Sequence, residues 1–148
     1  MTSRQWKHHP FVDPVPLPYG ATFDRAEFEK IRAGLVPGAM EDKWFIQFEE
    51  PDLGLYRSWT GKAVYRVTFE RLDNAHRVVA ALREASIMPD YNDAYHAELL
   101  NFLIRNLLLG EFLPFPRPSR LEEPVPGVFQ HSICGRRYPE KAVEERNG

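Results

Sequence analysis

Residues 43–70 read KWFIQFEEPDLGLYRSWTGKAVYRVTFE, and this stretch decides the fold. Three runs rich in aromatic and β-branched residues are separated by two turn signals, Pro-Asp-Leu-Gly at residues 51–54 and Thr-Gly-Lys at residues 60–62. Such runs between turn residues are typical of antiparallel strands, in which successive side chains point to opposite faces. The stretch therefore predicts an antiparallel meander.

The alternation also predicts which face of the meander is buried. In the first and third strands the large apolar side chains fall on one face: Trp44, Ile46, Phe48, Tyr65, Val67 and Phe69. We expect this face to pack against Phe102 and Leu103, which lie on the apolar stripe of a later helical segment.

The flanking segments supply helices and a further strand. Asp24 and Glu27 have the spacing of a capping box, so a helix is predicted after Asp24. Residues 76–83 scan as a fourth strand or as a helix, and the pattern leaves both open. A long helix is predicted from about residue 91 to residue 109, ended by Gly110.

The predicted fold class is therefore α+β in one domain over residues 1–148. An N-terminal helix leads into a β-meander of three to four strands, and the long C-terminal helix packs on one sheet face. Prolines mark the two ends as an extended arm at residues 1–21 and a Pro-rich tail at residues 111–148. The α+β core occupies residues 22–110.

Composition narrows the class of protein. The chain has 148 residues, 43% apolar content and a formal net charge of −2, so neither nucleic acid nor an anionic membrane is an expected partner. A single cysteine excludes an internal disulfide framework. The N-terminal residues lack the apolar region of a secretory signal, and a cytoplasmic location is predicted.

The best candidate site lies in the second turn region. Ser58 and Thr60 supply hydroxyl groups, and Arg57 and Trp59 are two residues apart and so share a strand face. Arg66 is expected beside them from the paired strand, which would bring two guanidinium groups and a ring within reach of one anionic ligand. The alternative is that Trp59 closes the core where the hairpin turns.

Other candidate chemistry is weaker. Asp93 and His96 share a helix face, but an isolated pair is interpreted as a local hydrogen bond, and we predict neither a metal site nor a cofactor. His131 lies three residues before Cys134 without a recognisable activating base. Phosphate-binding glycine loops and common hydrolase signatures are absent from the sequence.

The segments Lys43-Trp44-Phe45-Ile46, Leu55-Tyr56, Arg57-Ser58-Trp59-Thr60-Gly61 and Val64-Tyr65 resemble the central part of a group of small uncharacterised bacterial proteins. The resemblance covers about a third of the chain, and its motif carries no assigned catalytic residue that could be transferred to this chain. The resemblance implies that the chain, like some members of this group, occurs near ADP-ribose-handling modules.

Two functions follow as hypotheses. The first is a binding or protein-interaction module that uses the surface of Arg57, Trp59 and Arg66, or the apolar helix at residues 99–109, through which a homo-oligomer could also form. The alternative is an enzyme or nucleotide-ligand domain acting on a phosphate-bearing compound such as an ADP-ribose derivative. A pocket formed by the two arginines and Trp59 would favour a small anionic ligand, and an open face would favour a protein partner.

Overall fold

The computed structural model describes residues 6–38, 42–118 and 140–143. Most of the predicted Pro-rich tail, including the His131–Cys134 candidate, lies outside the described residues. The strands are β1 (Pro14–Pro16), β2 (Thr22–Asp24), β3 (Trp44–Glu49), β4 (Asp52–Arg57), β5 (Ala63–Arg71), β6 (Ala75–Glu84), β7 (Phe115–Pro118) and β8 (Glu140–Val143). The helices are α1 (Arg25–Ala33) and α2 (Asp93–Phe102), and α2 continues as a π-helical segment, Leu103–Leu108.

The first six strands form one antiparallel sheet. The order across it is β1-β6-β5-β4-β3, and β2 pairs with β6 beside β1. Strands β7 and β8 form a separate parallel pair. The prediction of a mixed protein with an antiparallel sheet and helices is confirmed, and residues 76–83 lie in strand β6.

Part of the predicted N-terminal arm belongs to the sheet as its edge strand β1. The Leu17 amide donates to the Ala81 carbonyl and the Ala85 amide donates to the Asp13 carbonyl, so the odd-numbered residues bond to β6. Pro14 and Pro16 occupy the alternate positions, whose backbone groups face away from β6. Since proline has no N–H group, this edge offers no amide donor at either position.

The face of the sheet under the helices forms the main core, as the alternation predicts. Trp44, Ile46, Tyr65 and Val67 are fully buried or nearly so, in one cluster with Phe102 and Leu103 of the helical segment. Phe48 packs against this cluster but stays partly exposed. The predicted buried face is therefore confirmed.

Helix α1 is tied to the sheet at both of its ends. At its start the Asp24 side chain accepts from the Glu27 amide, and the Glu27 side chain accepts from the Asp24 amide. At its end Gly34 has φ +68°, and a Cβ there would lie 2.4 Å from the Ile46 carbonyl oxygen. This close approach lets Leu35 bridge Ile46 on the outer edge of β3.

The second helix differs from the continuous α-helix expected for residues 91–109. It begins at Asp93, with the Asn92 side chain as cap, and widens into the π-helical segment after Phe102. There the Asn106 amide group bonds to both the backbone N–H and the carbonyl of Leu113, at 2.9 and 3.0 Å. A π-helical turn is a local insertion that side-chain periodicity does not reveal.

Candidate functional site

The predicted site residues surround the turn between β4 and β5, which we call the hairpin tip (residues 58–62). The turn is closed by hydrogen bonds from the Gly61 amide to the Arg57 carbonyl, 2.8 Å, and from the Arg57 amide to the Lys62 carbonyl, 2.9 Å. Gly61 has φ +72°, and the backbone of Lys7 passes so close that a Cβ on Gly61 would lie 3.0 Å from its carbonyl oxygen. Glycine is therefore required at this turn position.

Ser58 is a structural residue of the hairpin tip. Its side chain is buried, and its hydroxyl donates to the Asp42 carbonyl at 2.7 Å. Its amide donates to the Lys43 carbonyl, and its own carbonyl accepts from the Trp6 indole N–H. With these polar groups engaged in holding three chain segments together, Ser58 is poorly placed to act as a ligand contact.

Trp59 lies on the outside of the hairpin tip. Its side chain is 55% exposed, and its ring meets the Trp6 ring edge to face at 6.2 Å. The neighbouring Thr60 hydroxyl accepts from the Lys62 amide at 3.2 Å and so braces the turn. The alternative in which Trp59 closes the core is wrong, because more than half of its side chain is exposed to solvent.

Arg57 and Arg66 lie on opposite faces of the sheet, so the expectation that their guanidinium groups lie side by side is wrong. Arg57 is paired with Trp44 and its guanidinium lies 5.0 Å from the centre of the Trp44 ring, on the helix side. Arg66 stands between the core residues Tyr65 and Val67 and therefore points to the second face of the sheet. There its guanidinium lies 5.6 Å from the centre of the Phe11 ring.

Part of the second face is covered by a segment that we call the N-terminal strap (residues 6–13). The His8 ring lies 5.5 Å from the ring of Phe45 and 4.9 Å from that of Tyr56. The strap is fixed to the hairpin tip, since the His9 amide donates to the Gly61 carbonyl at 2.9 Å. Phe45 is fully buried beneath it, although the strand alternation places Phe45 on the polar face.

Glu84 anchors the far end of the strap. Its buried carboxylate accepts from the amides of Val12 and Asp13 at 2.7 and 3.0 Å and from the Ser86 hydroxyl at 2.9 Å. Burial raises the pKa of this carboxyl, but the hydrogen bonds from Asp13, Val12 and Ser86 outweigh that effect and lower the pKa overall. The sequence contains no local signal for the contact with the strap, because Val12 and Asp13 lie some 70 residues before Glu84.

A buried pair, Tyr65 and His96, joins the centre of the sheet to α2. His96 Nε2 lies 3.1 Å from the Met88 carbonyl, which can only accept, so Nε2 carries the hydrogen and Nδ1 accepts from the Tyr65 hydroxyl. Burial lowers the pKa of His96 to about 4 and raises that of Tyr65.

Both ring nitrogens of His96 are therefore used in hydrogen bonds, and Asp93 pairs with Arg83 at 3.0 Å. Among the described residues, no group of three or more His, Cys, Asp or Glu side chains is placed to hold a metal ion.

Comparison with protein-family models, with curated proteins and with solved structures finds no match to the chain. The resemblance of residues 43–65 to a bacterial group thus stays a prediction. In the part of the chain that the structure describes, no helix has both the length and the apolar character needed to cross a membrane.

Proposed function

We propose that this chain is a protein-interaction module and that the hairpin tip is its contact surface. The observation that carries the proposal is the exposure of Trp59, 55%, at a position where the surrounding backbone is held by hydrogen bonds. Tryptophan is the side chain most enriched among residues that dominate binding energies, and a rigid mounting reduces the entropy lost on binding.

The setting of Trp59 supports this role. Trp6 supports the ring from one side, and the Trp6 indole is itself fixed by its hydrogen bond to the Ser58 carbonyl, 2.8 Å. The Ser58 hydroxyl in turn holds the segment at Asp42. Ser58 and Thr60, two of the polar residues predicted as ligand contacts, thus brace the turn that presents Trp59 to solvent.

The charges around the hairpin tip favour a partner with an acidic segment. Lys62 follows the turn in sequence, and the backbones of Lys7 and Lys43 contact Gly61 and Ser58. Asp42 is the acidic residue in the same set of contacts. Opposite charges across an interface accelerate association and select the partner. The cationic surroundings of Trp59 would therefore pair with carboxylates around an apolar or aromatic contact.

The test is site-specific crosslinking. A photoreactive phenylalanine analogue replaces Trp59 in one variant and Phe112 in another, since Phe112 is also exposed, at 67%, and lies after the π-helical segment. In cells that express the chain, we expect the analogue at position 59 to crosslink to one discrete protein. The analogue at position 112 should not crosslink to that protein.

The crosslinked protein is then titrated with the purified chain. We expect Trp59→Ala to weaken binding by at least about 2 kcal/mol, the size of a hot-spot contribution, while Phe112→Ala leaves it unchanged. Affinity should fall as salt is raised. Equal crosslinking from both positions, or binding insensitive to Trp59→Ala, would contradict the proposal. A crosslink to a second copy of the chain would instead identify self-association.

A further inference from the structure

A second surface, at the other end of the β4–β5 hairpin, has the form of a small-molecule site. It is an open cleft of about 450 Å³ between helix α1, the β3–β4 turn and the β5–β6 turn. The volume lies within the range of about 300–1,000 Å³ that ligand pockets occupy. Strand β5 has nine residues, so the cleft is separated from the hairpin tip by roughly 30 Å.

Three rigid elements build this cleft, which we call the α1 cleft. Arg25, Glu29 and Arg32 come from one side of α1, and Glu50 comes from the β3–β4 turn. The β5–β6 turn contributes residues 71–75 and is closed by a hydrogen bond from the Leu72 amide to the Ala75 carbonyl, 2.8 Å. Its walls therefore come from elements fixed to the sheet.

The floor of the cleft includes a stacked pair of rings. Phe28 and His76 are parallel to within 6°, with ring centres 3.5 Å apart. Phe28 is also held edge to face by Phe48 and Phe69, at 5.3 and 5.2 Å. His76 thus sits on a fixed aromatic support at the boundary between the core and the cleft.

The cleft is lined by equal numbers of arginine and carboxylate side chains, most of which form no ion pair with one another. Arg32 forms an ion pair with Glu29 on the helix surface. Among the described residues, Arg25 and Arg71 make no ion pair, and neither do Glu50 and Asp73. Two cationic and two anionic side chains thus line one cavity while leaving their hydrogen-bonding capacity to solvent.

We infer that the α1 cleft binds a small zwitterion that carries both a carboxylate or phosphate group and an amine. The guanidinium groups of Arg25 and Arg71 would receive the anionic group, because their planar donors match carboxylate and phosphate oxygens. Glu50 and Asp73 would receive the ammonium group. An anion alone would lie near two carboxylates, so the charge pattern selects a ligand with both signs.

The experiment titrates the full chain with O-phosphoethanolamine and with γ-aminobutyrate. The first carries a phosphate and the second a carboxylate, so their comparison shows which anionic group the cleft binds. Inorganic phosphate and ethylamine serve as single-charge controls. The readout is the NMR signal of the His76 ring, assigned by its loss in His76→Gln. We expect a saturable shift with at least one zwitterion and affinity at least tenfold lower for both single-charge compounds.

Variants then locate the site. Arg71→Ala and Glu50→Gln should each weaken binding of the zwitterion by at least tenfold. Arg77→Ala is the matched control, because Arg77 is a nearby exposed arginine that pairs with Glu70 and does not line the cleft.

Several results would overturn the inference: no shift of the His76 signal with either zwitterion, equal affinity for inorganic phosphate alone, or an equal effect of Arg77→Ala. Since the hairpin tip is far away, Trp59→Ala should leave this titration unchanged. The two proposals can therefore fail independently.

Discussion

The Tyr65 hydroxyl donates a hydrogen bond of 2.7 Å to Nδ1 of His96, and both side chains are almost completely buried. This contact joins the centre of strand β5 to helix α2 in the middle of the core. It requires a neutral imidazole, because a protonated Nδ1 could not accept the bond. The fold is therefore coupled to the protonation of one histidine.

We expect stability to fall as the pH is lowered through the titration of His96. The pKa is 6.5 in the unfolded chain and about 4 in the folded protein, so between these values the unfolded state binds an extra proton. The stabilisation is complete above pH 6.5 and is lost as the pH falls to about 4, a difference on the order of 3 kcal/mol.

Urea unfolding at several pH values measures this dependence, and His96→Gln is the control. Glutamine can accept from Tyr65 and donate to Met88 but does not titrate, so the slope of stability between pH 6.5 and 4 should become smaller. The charged groups facing His96 are Arg83 and Asp93, and they form an ion pair with each other. An unchanged slope in the variant would show that His96 does not carry the effect.

The N-terminal strap should be released by Glu84→Gln. Glutamine is uncharged and keeps only one accepting oxygen, so it cannot accept from the Val12 and Asp13 amides and from Ser86 at the same time. We expect a loss of about 2 kcal/mol, typical of hydrogen bonds to charged groups. Hydrogen exchange of residues 6–13 should accelerate. Glu70→Gln, at an exposed pair with Arg77, should leave the strap protected.

The same anchor makes the strap sensitive to acid. The folded pKa of Glu84 lies below its ordinary value of 4.5, so the stabilisation is present above pH 4.5 and is lost as the pH falls through the folded pKa. Strap exchange in the wild type should therefore rise in acid, whereas exchange in Glu84→Gln should already be fast at neutral pH.

The prolines of β1 should protect the sheet from edge-to-edge association. Replacing Pro14 and Pro16 with valine restores two outward N–H groups on a strand with high β-propensity. We expect the variant to self-associate at least tenfold more strongly in sedimentation experiments. Pro10→Val, outside β1, is the control, and equal behaviour of both variants would contradict this role.

The aromatic cluster beneath α1 gives a graded test of the core. Phe69 is 5% exposed and touches Phe23, Phe28 and Phe48, so Phe69→Ala should cost about 3–5 kcal/mol of unfolding free energy. Phe48→Ala should cost less, because Phe48 is only partly buried. Denaturant unfolding measures both, and a loss under about 1 kcal/mol for Phe69→Ala would mean that the face is not part of the core.

The structural features that the sequence predicts correctly are those set by residues close to one another in the chain. The buried face of Tyr65, Val67 and Phe69 follows from alternation within one strand, and the cap of α1 follows from the spacing of Asp24 and Glu27. Both features arise within a few residues, where side-chain geometry is set by the local backbone.

The remaining features depend on contacts between distant segments. Phe45 has the alternation of a solvent-facing residue, but it is buried because the strap, more than thirty residues earlier, covers it. The Glu84 anchor arises in the same way. The predicted placement of Arg57 beside Arg66 also depended on how distant strands pair. Arg57 lies on the same face as Leu53 and Leu55, whereas Arg66 lies on the opposite face.

The apolar surface of the helical segment at residues 99–109 is wider than the sheet alone would cover. This width predicts a second contact on the outer side of the segment. The structure supplies one. Phe115 is fully buried edge to face against Phe102 at 5.2 Å, and the Tyr95 hydroxyl donates to the Pro116 carbonyl at 2.9 Å.

Phe115→Ala should therefore cost about 3–5 kcal/mol, and deletion of the chain from residue 112 onward should expose the apolar surface of α2 and cause aggregation. The control is Phe112→Ala, which removes a ring that is 67% exposed three residues earlier and should change stability by less than about 0.5 kcal/mol. Thermal unfolding and light scattering measure both effects. If the truncated chain stayed monomeric and as stable as the wild type, residues 112–118 would not be the cover of this helix.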